Sequence, residues 1–398
     1  MRRLGFTEND KLILPALLAS SFSTYPIIIV TSVLLVEISE SLGVSLAVAA
    51  QIRTASSIVA IVGGLVVGAL AMRHQPRIIL QGGLALLIVS SLGGFLAPNL
   101  TTLTIVMGLS GLGVAMVFPM TTTLVGEYFQ LERRGYVLGY LGVAGGFGFL
   151  IGGALTSFIA DIGGWRLAFL AFSGAVSTVG LIACLFWLPP TPLSKEKPGL
   201  LIGFKEIAGN SSALFCLLSM VLASASIQGL YLYSFSYLQE WHGASVATTG
   251  LVYSATALFF MPGSYSTGEL VHRLGRKTVT IVGVAGFSLF TFLMGAAWSL
   301  WLCIAFILIG HIFDSFRFSA FNALILEQSP NQRGTMVSMS SVATNLGYAI
   351  GTGLGGLLLI LLGWKSVIYT LSLVGVASAA VLHVAVRDAR DEEPLSPS

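Results

Sequence analysis

The segment Gly268-Glu-Leu-Val-His-Arg-Leu-Gly-Arg-Lys277 decides the fold, because a related segment, Gly68-Ala-Leu-Ala-Met-Arg73, stands 200 positions earlier. Both copies carry a glycine, a leucine two residues later and an arginine three residues after that leucine. Two such copies at about half the length of a 398-residue chain indicate an internal duplication. The two halves of the chain are therefore expected to share one architecture.

Other parts of the sequence repeat at nearly the same offset. The matches lie 199 or 200 positions apart and pair Leu42-Gly-Val-Ser45 with His242-Gly-Ala-Ser245, Arg134-Gly135 with Arg333-Gly334, Gly148 with Gly347, Gly152 with Gly351, and Trp165-Arg166 with Trp364-Lys365. Each half is predicted, from the apolar runs described below, to cross the membrane six times. Because six is an even number, both halves start on the same side of the membrane, and the repeat is expected to be parallel. In such a repeat the substrate site is expected near the midplane between the halves.

The composition indicates a membrane protein with many spans. Hydrophobic residues make up 55% of the chain, charged residues make up 9%, and the mean hydropathy is +0.89. Soluble domains carry about 25% charged residues, so a soluble enzyme is excluded. The three cysteines lie in apolar runs, which implies neither a disulfide framework nor a metal site.

A helix needs about 20 apolar residues to cross a bilayer, and the chain has twelve such runs. The predicted spans 1 to 6 cover residues 12–36, 44–70, 77–97, 101–125, 135–160 and 166–188, and spans 7 to 12 cover 211–239, 246–270, 277–297, 299–326, 335–361 and 364–386. We therefore expect an all-α membrane protein of two pseudo-symmetric six-helix halves, at 1–188 and 211–386. A cytoplasmic linker, 189–210, and a tail, 387–398, complete the chain.

The loop charges predict the orientation. Sixteen Lys and Arg residues fall in one set of loops and ends, and two, Arg166 and Lys365, fall in the other set. Because basic residues accumulate on the cytoplasmic side, both termini are predicted to be cytoplasmic. The expected location is the cell membrane, as a multi-pass protein.

The repeated loop carries a family resemblance. It resembles the G-x-L-x-D-R-x-G-R-K signature of the major facilitator superfamily, with Met72 and His272 where aspartate is usual. The resemblance covers nearly the whole chain and implies a secondary transporter that works by alternating access. It also implies a gating role for the loop residues, which are Gly68, Arg73, Gly268, Arg273 and Arg276.

Span 5 contains Gly148-Phe-Leu-Ile-Gly152-Gly153, which resembles the G-P-x-x-G-G ending of the family's antiporter signature, with Phe149 in place of proline. These glycines either allow helices to slide or simply allow tight packing. The same packing role is predicted for Gly148 and Gly152, and for Gly347 and Gly351 in span 11.

Span 10 holds three ionisable residues, His311, Asp314 and Arg317. Such residues are costly inside a membrane, so each one is a functional candidate. Asp314 is the one carboxylate predicted well inside a span, and we interpret it as the proton carrier, with His311 as its partner in proton coupling. The alternative is an internal Asp314–Arg317 ion pair with a structural role only.

Other polar residues are predicted to line a substrate site. Arg53 in span 2 is expected either to pair with Asp314 or to bind an anionic substrate, to which Arg317 would contribute. The further candidates for ligand contact are Gln228 and Tyr231 in span 7, Tyr253 in span 8, and Asn345 and Tyr348 in span 11.

The sequence favours a transporter of a small organic molecule, with proton-coupled efflux by antiport as the first hypothesis. The alternative is a proton-coupled importer of an organic anion or sugar-like solute, and the third is a non-transporting sensor on the same scaffold. Neither an ATP-binding loop nor a catalytic motif is present, so no enzyme activity and no cofactor are expected. The expected partners are the substrate, protons and lipid, without nucleic acid, and the resemblance implies a monomer.

Overall fold

The computed structural model describes residues 10–71, 73–190, 200–329 and 332–387, whose regular secondary structure is entirely helical. The helices of the first half are α1 (Asp10–Phe22), α2 (Tyr25–Val33), α3 (Leu35–Ser41), α4 (Leu46–Ala49), α5 (Gln51–Ala71), α6 (Pro76–Leu96), α7 (Leu100–Tyr128), α8 (Leu131–Ala168) and α9 (Ala175–Trp187). The others are α10 (Leu200–Gly209), α11 (Ser211–Glu240), α12 (Val246–Leu274), α13 (Arg276–Gly295), α14 (Leu300–Gln328), α15 (Arg333–Leu362) and α16 (Trp364–Ala385).

Eleven helical stretches of the described residues are long and apolar enough to cross a membrane. One of them, Tyr136–Trp187, has 52 residues and joins α8 to α9 through the π-helical turn Phe169–Gly174. The backbone of this stretch leaves the helical conformation at Gly163 and Gly164. Because one crossing needs about 20 residues, the stretch suffices for two, as predicted for spans 5 and 6. The predicted all-α membrane fold is confirmed.

Span 1 is broken rather than continuous. It was predicted as one helix over 12–36, and it consists of α1, α2 and α3. Pro26 lies in the first turn of α2, where a helix makes no use of the backbone N–H that proline lacks. A helix that continued through this position without a break would need that N–H as a hydrogen-bond donor. The second break is at Leu34, whose φ of −105° and ψ of 21° separate α2 from α3.

The backbone reproduces the sequence repeat at two pairs of turns. Gly43 has a φ of +65° and Gly243 a φ of +67°, and each follows the first span of its half. Gly164 and Gly363, 199 positions apart, have φ angles of +73° and +79°. Glycine adopts this left-handed conformation without the steric cost that a Cβ would add. The same residue type therefore makes the same turn in both halves.

The chain divides into two compact units. The first unit contains the described residues of Met1–Lys197 with Val246–Ser254, and the second contains those of Pro198–Ser245 and Ala255–Ser398. The predicted half boundaries at 188 and 211 stay predictions, and the start of α12 groups with the first unit. In the predicted linker, 191–199 lie outside the described residues and α10 occupies Leu200–Gly209; of the predicted tail, 388–398 also lie outside them.

Hydroxyl side chains join helices within each unit. Ser91 Oγ donates to Ser173 Oγ at 2.8 Å in the first unit. In the second unit, Ser219 Oγ donates to the Ser378 carbonyl oxygen at 3.0 Å, and the hydroxyls of Thr291 and Ser372 are 3.0 Å apart. Lipid offers helices no hydrophobic driving force for association, so such bonds and close packing hold a unit together.

Candidate functional site

Span 10 is the helix α14, and it carries a buried ion pair. Arg317 Nε donates to Asp314 Oδ1 at 2.7 Å, and the two residues are 9% and 5% exposed. The spacing of three residues puts both on one side of the helix. Each charge alone would cost several kcal/mol in such surroundings, and the pairing offsets part of that cost. The internal Asp314–Arg317 ion pair that the sequence offered as an alternative is present in the structure.

Glycines on two neighbouring helices allow α14 to come close. A Cβ on Gly283 of α13 would lie 2.8 Å from the Phe313 carbonyl oxygen and 2.9 Å from Arg317 Cα. A Cβ on Gly263 of α12 would overlap Ser315 Oγ. Small residues let membrane helices approach to backbone contact, and here that contact shields the ion pair.

His311 lies one turn before Asp314 and is 4% exposed. Its Nδ1 lies 2.7 Å from the carbonyl oxygen of Ile307. A carbonyl only accepts hydrogen bonds, so Nδ1 carries a proton. Nε2 is buried and has no hydrogen-bond partner among the described residues. A further proton, or a donor group of a ligand, would therefore bind at Nε2.

Tyr231 of α11 lies against this histidine. The two rings meet edge to face with centroids 4.7 Å apart, and Phe235 lies 5.9 Å from Tyr231 on the same helix. The Tyr231 hydroxyl is 3.5 Å from Thr256 Oγ1 of α12, a long contact. A cavity of about 10 Å³ lies beside these groups and is lined by Leu230, Tyr231, Ser234, Phe235, Phe287, Thr291, Ile307 and His311. This volume is about that of one water-sized sphere.

The other candidates on the second unit lie on α11 and α15. Gln228, Asn345 and Tyr348 are all half-buried. Asn345 Nδ2 donates to the Ser341 carbonyl oxygen of its own helix at 3.0 Å. Amide side chains often bond their own helix in this way, and a ligand that used this donor would have to replace the bond.

Tyr253 belongs to the first unit. It is fully buried and stacks on Phe149, with ring centroids 6.0 Å apart. Phe149 also meets Tyr25 edge to face at 5.3 Å. Phe149, which stands in the place of the signature proline, is thus the middle of three rings. Arg53 lies in α5 of the same unit and is 7% exposed.

The two predicted gating loops differ in their contacts. Gly68 and Gly268 are exposed, and a Cβ on either would meet no other atom within 4 Å. Arg73 is also exposed, and Met72 lies outside the described residues. In the second loop, Arg273 Nε donates to Glu269 Oε1 at 2.6 Å.

The second loop also contacts span 10. Arg276 Nη1 pairs with Glu327 Oε1 near the end of α14. The loop therefore contacts the helix that holds Asp314.

A family model for the Major Facilitator Superfamily matches residues 16–274 and 231–398. The chain belongs to the major facilitator superfamily. It is therefore a secondary transporter of small molecules and not an enzyme, as the sequence predicted.

Known proteins similar to this superfamily member have names that refer to multidrug resistance or to the transport of a particular solute. Multidrug resistance protein 2 of Bacillus subtilis is 25% identical over 264 residues, which are 63% of this chain and 64% of that protein. The 4-hydroxybenzoate transporter PcaK of Acinetobacter baylyi is 29% identical over 129 residues, or 32% of this chain and 28% of that protein. A crystal structure of a D-xylose–proton symporter covers 96% of this chain and 99% of its own, with a TM-score of 0.80 and 17% identity. That likeness shows the fold.

The signature glycines of this superfamily member lie at close helix contacts. In span 5, a Cβ on Gly148 would lie 3.1 Å from Phe22 Cε2, and one on Gly152 would overlap Ile29 Cδ1. In span 11, a Cβ on Gly347 or Gly351 would overlap the carbonyl oxygen of Val221 or Ala225. The packing role that the sequence offered as an alternative to sliding is consistent with these contacts.

Sequence reasoning assigned no functional role to Glu37, Glu327 or Trp165. Glu37 Oε2 and Trp165 Nε1 are buried polar atoms without a hydrogen-bond partner among the described residues. The repeat contains a signal for both, because Glu37 corresponds to Tyr237 and Trp165 corresponds to Trp364.

Proposed function

We propose that this transporter exports a small organic molecule in exchange for protons, with Asp314 as the residue that carries the proton. The observation that supports this function is the buried Asp314–Arg317 ion pair of α14. Ionisable groups inside membrane spans are costly and commonly mark ion or proton pathways.

The ion pair provides two states of different charge. With Asp314 ionised, Arg317 is neutralised by a carboxylate 2.7 Å away. Protonation of Asp314 removes that partner and leaves a buried guanidinium, which is strongly unfavourable unless the site rearranges. A proton at Asp314 and a substrate that needs the ionised site would therefore exclude each other, and this exclusion is the basis of exchange.

The groups around the pair favour a ring-bearing substrate. Around His311, one turn from the pair, Tyr231, Phe235 and Phe287 supply aromatic surface, and His311 Nε2 supplies a hydrogen-bond acceptor. Ligand sites commonly combine apolar walls with a few polar groups. The similarity to a multidrug resistance protein supports export as the direction.

The experiment is transport of ethidium, a lipophilic cation, in liposomes that contain the purified protein. An imposed pH gradient is expected to drive ethidium accumulation by the wild-type protein and at least about ten-fold less by Asp314→Asn, since a tenfold effect requires only about 1.4 kcal/mol. The variant is expected to keep ethidium exchange between equal pools, which needs no proton. Asp161→Asn, at an exposed carboxylate, is the matched control.

Accumulation by Asp314→Asn at the wild-type rate would refute the proton role. A variant that loses both activities would be compared with Arg317→Lys, which keeps both charges and is expected to keep gradient-driven transport. If Arg317→Lys abolished accumulation although it keeps both charges, transport would require the geometry of the guanidinium and not its charge. The proposed exchange would then fail.

A second candidate is a proton-coupled importer of an organic anion, supported by the buried Arg53 and by the similarity to the 4-hydroxybenzoate transporter. Arg317 is a weaker anion ligand in this conformation, because an anion would have to replace Asp314. Accumulation of 4-hydroxybenzoate instead of ethidium, lost in Arg53→Lys, would favour import. Binding of a solute without any flux would favour the sensor.

A further inference from the structure

The external end of the first unit contains a buried acceptor and a buried donor that the described structure leaves unpaired. Glu37 lies in α3, beyond the membrane span Leu12–Val33, and its Oε2 is buried. Trp165 lies near the end of α8, is 4% exposed, and its indole N–H at Nε1 is also buried. An unpaired buried polar group costs about 1–3 kcal/mol, so each of these atoms calls for an explanation.

The second unit shows where the equivalents of these residues lie. There Trp364, the repeat partner of Trp165, contacts the ring of Tyr237, the repeat partner of Glu37, with centroids 5.6 Å apart. Trp364 Nε1 also donates to Glu240 Oε2 at 3.2 Å. Glu240 is the repeat partner of Glu40, which is exposed in the first unit, whereas Glu37, three residues earlier on the same side of α3, is the carboxylate with a buried oxygen.

We propose that Glu37 is a proton-binding residue at the external end of the first unit, and that its ionised carboxylate accepts a hydrogen bond from Trp165 Nε1. In the protonated state the two groups form no hydrogen bond, as in the present structure. In the ionised state the bond ties α3 to the end of α8. The proposal is independent of Asp314 and of the direction of transport.

The surroundings of Glu37 make its ionisation sensitive to pH near neutrality. Burial raises the pKa of Glu37 to about 7, whereas its own backbone N–H lowers it and the charge of Glu40 raises it, each by less. The adjoining helix α4 has no ionisable residue, and Tyr25 lies at the far end of α2. Arg166 is a cation that contacts α3, since it donates to Ser41 Oγ at 3.3 Å; it also donates to the Ala97 carbonyl oxygen at 3.1 Å and lies over the Trp165 ring, 4.2 Å from its centroid.

A hinge allows α3 to move when Glu37 changes charge. The helix is seven residues long and is separated from α2 by the non-helical Leu34. At its other end, Gly43 makes the positive-φ turn into the next helix. A short helix between two breaks can shift the Glu37 carboxylate towards the indole without moving the rest of the span.

The first test measures thermal unfolding of the purified protein between pH 5.5 and pH 8. A carboxyl whose pKa rises from 4.5 to about 7 on folding stabilises the folded state fully below 4.5, and this stability is lost as the pH rises through about 7. Glu37→Gln is therefore expected to raise the midpoint at pH 8 by about 2–4 °C and to raise it by less at pH 5.5. Asp161→Asn, at an exposed carboxylate of α8, is the control and is expected to change the midpoint equally at both pH values.

The second test follows Trp165 itself through intrinsic fluorescence. The wild-type spectrum minus that of Trp165→Phe isolates this indole from the other five tryptophans. We expect this difference to change between pH 5.5 and pH 8 in the wild-type chain and to stay constant in the Glu37→Gln background. A difference spectrum that does not respond to pH in the wild-type chain would overturn the proposal, even if Glu37→Gln failed to fold. So would equal effects of Glu37→Gln on stability at both pH values.

Discussion

Asp314 and Arg317 are buried together because the residues opposite them are small. Gly283 lies against the α14 backbone at Phe313 and Arg317, and Gly263 lies against Ser315. These contacts leave no room for a side chain, so the neighbouring helices pack directly on the part of α14 that carries the ion pair. Burial of this ion pair thus depends on uncharged residues that carry no chemistry of their own.

Substitution of Gly283 by alanine is expected to destabilise the protein. An alanine normally stabilises a helix interior by about 1 kcal/mol relative to glycine. At Gly283 the new methyl group would press on the α14 backbone, and such overpacking costs about 1–3 kcal/mol. Thermal unfolding in detergent is expected to show a lower midpoint for Gly283→Ala. Gly139→Ala, where no other atom lies within 4 Å, is the control and is expected to unfold at the wild-type midpoint or above it. Equal behaviour of the two variants would contradict this account.

At the scale of elements, three helices of the second unit meet at Gln328, the last residue of α14. Ser212 Oγ donates to Gln328 Oε1 at 2.5 Å, which connects the start of α11. Gln328 Nε2 donates to the Arg387 carbonyl oxygen at 3.1 Å, just beyond α16, and the Arg387 N–H donates to Ser212 Oγ at 2.9 Å. The side-chain oxygen of Gln328 bonds the start of α11, and its side-chain nitrogen bonds the residue just beyond α16. The ends of α11, α14 and α16 are therefore held together.

Gln328→Leu is expected to loosen this group. The substitution keeps most of the volume but leaves the hydroxyl of Ser212 and the carbonyl of Arg387 without their partner. The cost is about 1–3 kcal/mol for each buried group that stays unpaired. Guanidine titration of the purified protein in detergent would measure it, with Gln332→Leu as the control, since the bond of Gln332 to Glu206 is exposed. An unchanged transition for Gln328→Leu would mean that water replaces these bonds.

At the scale of the whole molecule, loop charge and the internal repeat act together. The basic residues fall almost entirely on one side of the predicted spans, and the repeated turns at Gly43 and Gly243 lie on the other side. Basic loops are retained in the cytoplasm during insertion, so the charge distribution selects one of two possible orientations for the whole bundle.

This orientation predicts which loops are reachable from outside the cell. Lys365→Cys is expected to react with a membrane-impermeant maleimide in intact cells, and Lys205→Cys is expected to react only after the cells are lysed. Both positions are exposed, and the native Cys184, Cys216 and Cys303 are buried, so the background is low. The opposite labelling result would mean that the protein has the inverse of the predicted topology. The direction assigned to any measured flux would then be reversed as well.

The sequence determined the class of this protein and its plan. Apolar runs of about 20 residues allow few structures other than membrane helices, because every backbone polar group must be satisfied in lipid. The repeat at 199 to 200 positions indicated two related halves, and its signature loop indicated the superfamily that the family model confirms. These properties depend on local composition and on matching segments, which can be read without coordinates.

Tertiary structure alone decided which polar groups meet. The contact of His311 with Tyr231 and the place of Phe149 between two tyrosines depend on helix rotation and on how closely helices approach. Spacing along one helix gives only the face on which a residue lies. The unpaired atoms of Glu37 and Trp165 were also invisible in the sequence, because burial is a property of the packed neighbours and not of the residue itself.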